Sequence, residues 1–175
     1  MTEFTKSALL LILDHLKEVH TFLNICSIFV VHESASKILR KSRMSYLNEN
    51  IDLESIAEEL ERKDFQKIVK MHDYGEELLL RDAYTMISEY CIINNQEEKL
   101  KEQPWYDFAR IVRNYVTHGI LNPNRYSNVV FPVIWKGNTI TEDDVRKSNI
   151  KLKHQFNYGY QLVLFNEIKQ FAETL

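Results

Sequence analysis

The chain is poor in the residues that punctuate structure. Only four glycines and three prolines stand among its 175 residues, so tight turns are scarce and a mostly helical protein is expected. Two cysteines, Cys26 and Cys91, both sit in apolar helical patterns. They have no metal-binding or redox spacing and read as core thiols of a reduced, cytosolic protein. Long hydrophobic runs are missing too. The N-terminal run Ala8–Leu13 stops at Asp14 and His15, and it lacks a basic leader and a small-residue cleavage site, so no signal peptide is expected. No stretch reaches the roughly 18 uncharged residues of a membrane span. Internal repeats and low-complexity tracts are absent as well.

What is present fits one globular domain over residues 1–175, with 45% hydrophobic and 27% charged residues. The net charge of −3 hides an asymmetry. Residues 1–100 carry 12 Lys and Arg against 18 Asp and Glu, a balance of −6. Residues 101–155 carry 9 against 5, a balance of +4, and residues 156–175 carry 1 against 2. The basic middle segment permits an anionic partner.

That segment contains the stretch around which the chain is organised, Asp107 to Gly119. On a helical wheel at about 100° per residue, Ile111, Val112, Tyr115 and Val116 fall within roughly 80° of Phe108. So clean an apolar stripe predicts a helix packed into a core. Arg110, Arg113, Asn114, Thr117 and His118 fill the other side. Solvated helix faces are mostly Glu and Lys; this one has neither after Asp107. Pro104 suits the start of the helix. Gly119 suits the position after its last turn, where φ turns positive.

Elsewhere, residues 3–40 show a long helical pattern (Leu9, Leu13, Leu16, Leu23, Val30) with a break near His32–Ser36. Residues 41–51 read as a polar loop. Asp52 and Asp64 are N-cap candidates for helices over 53–62 and from Phe65 onward. Gly75 argues against one unbroken helix there, and a strong helical pattern runs from Glu76 to Asn94-Asn95. Gln96–Gln103 reads as a helical turn. Val129–Trp135 and Thr139–Thr141 around a Gly-Asn turn predict a β-hairpin, with Pro132 placing the first strand at an edge. Thr141 with Asp144 resembles a capping box for a helix over 142–149. Tyr158–Thr174 closes the chain as a helix carrying Leu162, Phe165, Ile168 and Phe171.

Arg113-Asn114-Tyr-Val-Thr-His118 resembles the signature of HEPN domains: arginine, a polar residue, three variable residues, then histidine. Apolar residues before it on the same helix, Gly119 after it, and the small helical chain around it agree with the resemblance, which is detailed only over residues 105–119. It implies an all-α, up-and-down bundle of four to five main helices, here with a β-hairpin insertion after the motif helix. It further implies a homodimer with the motif helices facing each other, and a metal-independent endoribonuclease needing no cofactor, of the kind found in toxin–antitoxin and antiviral systems. An antitoxin or other protein partner would accompany such a role; no membrane is implied. By the same resemblance Arg113 would bind the scissile phosphate, His118 would be general acid or base, and Asn114 would orient the imidazole or the phosphate. Apart from the resemblance, Arg110 reads as an accessory phosphate contact or an interface residue, and Thr117 as a further RNA contact. In the subgroup whose tyrosine, two residues after the histidine, becomes nucleotidylated, the matching position here is Ile120; Tyr115 and Tyr126 do not fit that pattern.

The residues carry a chemical argument of their own. Cleaving RNA through its 2′-hydroxyl needs a proton shuttle and a cation on the phosphorane, which His and Arg supply. The arginine fork matches two phosphate oxygens. His118 stands at the C-terminal end of the helix, where the macrodipole favours a cation. Asn114 and His118, four apart, share a face. Arg113 and His118, five apart, project about 140° from one another. Two antiparallel copies would bring one chain's arginine to the other's histidine, which predicts a composite site at a two-fold interface.

Competing readings exist for each residue. Arg113, Asn114 and His118 could form a polar bridge between helices in a non-catalytic dimeric HEPN module, and a nucleotide-binding domain without cleavage is a third reading. Arg110 could be a solvated arginine, and the Thr117 hydroxyl could bond back along its own helix. His15, His20, His32 and His72 read as surface or partly buried histidines, and His154 as the edge of a basic run. Arg81, Asp82 and Glu89 read as bundle ion pairs. Trp105, Trp135 and Tyr126 are either base-stacking or packing aromatics.

Overall fold

The scarcity of Gly and Pro translates into a mainly helical chain. The computed structural model describes residues 4–32, 34–41, 45–46, 49–50, 54, 57–58, 61, 65–119, 121–147 and 159–175. Helix α1 spans Lys6–Val31 and α2 spans Ala35–Lys41, separated at the break that the sequence predicts. Helix α3 covers Phe65–Ile93, α4 Glu97–Lys101 and α5, the motif helix, Tyr106–His118. A 3-10 turn follows at Pro123–Tyr126. Strands β3 (Val133–Trp135) and β4 (Asn138–Ile140) form an antiparallel hairpin. Helices α6 (Glu142–Arg146) and α7 (Tyr160–Thr174) complete the order. No helix among the described residues is long and apolar enough to cross a membrane.

The chain divides into two compact units: Met1–Lys17 with Glu76–Leu175, and Glu18–Gly75. In the second unit, residues 41–51 are more than a loop: β1 (Ser45–Tyr46) pairs antiparallel with β2 (Glu49–Asn50). Asp52, Asp64 and most of the helix expected over 53–62 lie outside the described residues, although Glu54, Ala57, Glu58 and Glu61 are helical. Arg40 bonds Glu61 at 2.9 Å and also pairs with Glu54, and this hydrogen bond holds the Glu61 carboxyl below its ordinary range. The expected interruption at Gly75 does not occur, since α3 is continuous through it. A Cβ there would stand 3.3 Å from Leu23 Cδ1, so the glycine serves close packing between helices, which offsets its low helix propensity. His20 is buried, more deeply than expected.

The first unit carries the motif helix, and its core accounts for the helix's amphipathic pattern. Phe108, Ile111 and Val112 are fully buried. Phe108 packs against Trp135 of β3 (5.1 Å between ring centroids) and edge-on to Tyr160 of α7 (6.1 Å). Trp105 meets Phe171 of α7 edge-on at 5.9 Å. Each such side chain contributes about 1.5–3 kcal/mol through burial. Helix α7 buries Tyr160, Leu164, Phe165, Ile168 and Phe171, while Leu162 of the expected stripe is partly exposed. Trp135 Nε1 donates to Glu167 of α7 at 2.8 Å, and Lys136 pairs with the same carboxylate at 2.6 Å. The hairpin is thereby tied to α7 behind the motif helix.

Local sequence rules explain the joints. Asn95 adopts positive φ where α3 ends. The motif helix starts at Tyr106, two residues past Pro104, and Gly119 ends it with φ +65° and its amide bonded to the Tyr115 carbonyl. The hairpin turn is Lys136-Gly137, both at positive φ, and not Gly-Asn as the composition suggests. Asn138 belongs to β4, opposite Trp135. The first strand begins only after Pro132, which has no N–H to give to a ladder. The capping box is complete: Thr141 and Asp144 each accept from the other's backbone amide.

Candidate active site

The polar side of the motif helix borders two clefts, both within the first unit. Asn114 belongs to both. Arg113 and His118 do not share one: Arg113 opens into a cleft of about 380 Å³ and His118 into another of about 220 Å³. This is what a separation of five residues on a helix requires.

In the larger cleft, between α3, α4 and the motif helix, Arg113 is held in place. Its Nε and Nη2 each donate to Thr85 Oγ1 at 3.3 Å, and its Nη1 donates to Asn114 Oδ1 at 3.0 Å. Thr85 lends its own proton to the Arg81 carbonyl at 2.7 Å, which leaves the hydroxyl oxygen free to accept. Both partners recorded for Arg113 among the described residues are therefore neutral. Tyr84, Tyr106, Arg110, Lys101, Glu89 and Glu97 also line this cleft. Burial pushes the Tyr84 phenol upward, and neighbouring Tyr106 adds to this. Elsewhere on α3, burial raises the Cys91 thiol to about 11.

Asn114 links the two sides. Its Nδ2 donates to the Tyr126 hydroxyl at 2.8 Å while its oxygen receives Arg113. Tyr126 comes from the 3-10 turn after the helix. Asn122 caps that turn by accepting from the Asn124 amide at 3.1 Å, and Pro123 supplies its first residue. The turn carries Arg125 and Tyr126 back toward the helix. The smaller cleft is lined by Asn114, His118, Leu121, Asn122, Arg125 and Tyr126. His118 and Arg125 are both exposed.

The remaining expected contacts are mostly engaged within the chain. Arg110 lies between two rings, 5.6 Å from the Tyr106 centroid and 5.3 Å from that of Tyr126. It donates to the Arg125 carbonyl at 3.2 Å and so fastens the 3-10 turn. The exposed Thr117 donates its hydroxyl to the Arg113 carbonyl at 2.8 Å, the backward bond of a helix-end threonine. Trp105, Trp135 and Tyr126 are 2%, 4% and 3% exposed, so all three are packing residues and none offers a face for stacking. Arg81 pairs with the adjacent Asp82 at 2.7 Å, while Glu89 faces the larger cleft.

Sequence reasoning missed Thr85, Arg125 and the role of the Tyr126 hydroxyl. Thr85 carries no signal beyond its place on a neighbouring helix. For Arg125 and Tyr126 the signal was the Asn-Pro pair at 122–123, a turn start that could have suggested a chain doubling back. Among the described residues no group of three His, Cys, Asp or Glu side chains comes together to hold a metal ion. No protein-family model, no curated protein and no solved structure matches the chain.

Proposed function

We propose that the protein is a metal-independent endoribonuclease of HEPN type that works as a homodimer, with Arg113 of one copy and His118 of the other acting on one phosphodiester. The observation that carries this reading is the separation of Arg113 and His118 into two clefts that meet at Asn114. Among the described residues the hydrogen bonds of Arg113 go to neutral groups, Thr85 and Asn114, so no direct ion pair there competes with a phosphate. A second motif helix lying antiparallel would bring that charge to an exposed histidine.

The chemistry is a transesterification. The 2′-oxygen bonds to phosphorus as the bond from phosphorus to the 5′-oxygen breaks. One proton leaves the 2′-hydroxyl and one reaches the 5′-oxygen, giving a 2′,3′-cyclic phosphate and a 5′-hydroxyl. His118 serves one of these transfers, and Arg113 stabilises the charge that builds on the phosphorane. Asn114, fixed between Arg113 and Tyr126, sets the geometry of both clefts. An intracellular toxin or antiviral effector restrained by a partner protein fits this chemistry.

The test is RNA incubated with purified protein in EDTA. The expected products end in 2′,3′-cyclic phosphate, and His118→Ala is expected to lower their rate by about 10²–10⁴. Equal cleavage by His118→Ala would overturn the proposal. A second reading has its own observation in its favour. The bonds from Arg113 to Thr85 tie the motif helix to α3, as expected of a non-catalytic dimeric module. On that reading Arg113→Ala lowers stability and no cyclic-phosphate product forms with the wild type.

A further inference from the structure

We infer that Arg125 is a phosphate-binding residue. Together with His118, Asn114 and Tyr126 of the same chain, it forms an anion site for a phosphodiester of the RNA substrate. The inference rests on RNA being that substrate, but the site is built within one chain and can be tested without cleavage.

Three observations converge on it. First, among the described residues no carboxylate lines this cleft; the ionisable side chains described there are His118, Arg125 and the Tyr126 phenol. The larger cleft sets Glu89 and Glu97 beside its cations. Second, the neutral groups are poised to donate. Tyr126 accepts from Asn114 at 2.8 Å, and among the described residues no acceptor takes its own O–H, which can turn to an anion. Third, the base of Arg125 is fixed although its side chain is exposed. Its carbonyl accepts from Arg110, whose guanidinium is packed between Tyr106 and Tyr126, and the Asn122 cap sets the turn. A planar guanidinium on a fixed stem beside an imidazole is the donor set a phosphate matches. His118 thus has a cation in its own chain, and the arginine of the facing copy would be the second one at the phosphate.

The experiment is an NMR titration of the full chain with inorganic phosphate at low ionic strength, following the His118 ring signals, paired with RNA cleavage assays. Phosphate is expected to shift His118 in the wild type and in Arg113→Gln. Arg125→Gln is expected to weaken that binding by roughly tenfold or more, and Arg125→Lys by less. Among the described residues the exposed Arg125 side chain makes no hydrogen bond or ion pair, so its replacement should leave the fold intact, and unchanged amide shifts elsewhere would verify this. Cleavage by Arg125→Gln should fall by about tenfold or more, chiefly in kcat/KM. No His118 shift in the wild type, or equal binding by Arg125→Gln, overturns the inference. Phosphate binding that depends on Arg125 with no RNA cleavage upholds the site and refutes the endoribonuclease reading. Cleavage by Arg125→Gln at the wild-type rate, with unchanged phosphate binding, does the reverse.

Discussion

The two clefts that meet at Asn114 differ in how finished they are. The Arg113 cleft is internally balanced: its arginine is hydrogen-bonded, acids stand beside its bases, and its wall is a buried tyrosine. The His118 cleft has two exposed basic side chains, a tyrosine hydroxyl and, among the described residues, no carboxylate. One side holds a charge in position; the other is open for a ligand. A helix can present both only because residues five apart face different ways. On the proposed function, the same geometry that keeps them apart in one chain would make a second chain useful.

Substitutions in each cleft probe this contrast. After the loss of His118 itself, the largest effect is expected at Arg113. Arg113→Lys keeps the charge but loses the fork that grips Thr85 and Asn114, so cleavage should fall by about 10²–10³ with little change in RNA affinity. Rate and binding measured together test this; near-normal activity would show that charge alone suffices. Thr85→Val removes the acceptor for two arginine N–H groups. It should cost about 0.5–1.5 kcal/mol of stability by denaturant unfolding and lower cleavage by about tenfold. If stability falls and the wild type has no activity to lose, the bridge is structural only.

On the other side, Tyr126→Phe deprives the Asn114 amide of its acceptor and the cleft of a donor. A loss of about 0.5–1.5 kcal/mol is expected, with a smaller fall in cleavage than Thr85→Val gives. The smallest effect concerns alkali. Burial raises both Tyr84, which lines the Arg113 cleft, and Cys91 on the same helix. The folded state therefore holds those protons more tightly than the unfolded chain. The stability this represents is complete below the ordinary thiol range near 9 and is lost as pH rises through about 11. Melting temperatures across that window should drop, and Cys91→Ala should drop less over the same interval.

The motif helix was legible because periodicity, Gly119 and a buried stripe all point the same way. The capping box at Thr141 and Asp144 was legible for a similar reason: the two residues that make it are three apart in sequence. What escaped depends on the third dimension. Gly75 looks like a breaker until Leu23 is seen 3.3 Å from where its Cβ would stand. Arg125 looks like an ordinary loop residue until the Asn122 cap returns it to His118. Leu164, and not Leu162, faces the core because packing around Tyr160 and Phe165 sets the rotation of α7. The division into two units, which passes within both long helices, has no mark in composition. For the candidate site, the sequence proposed Arg113, Asn114 and His118 but not the residues that hold or accompany them in the structure.

The most direct test of the composite site mixes two dead proteins. Arg113→Ala and His118→Ala, each inactive alone, are co-expressed so that their copies can pair. A dimer of one with the other has one site with both lesions and one site with none. Random pairing should therefore restore about a quarter of wild-type cleavage, since half the dimers are mixed and half their sites are intact. A mixture as inactive as its parents would contradict the account.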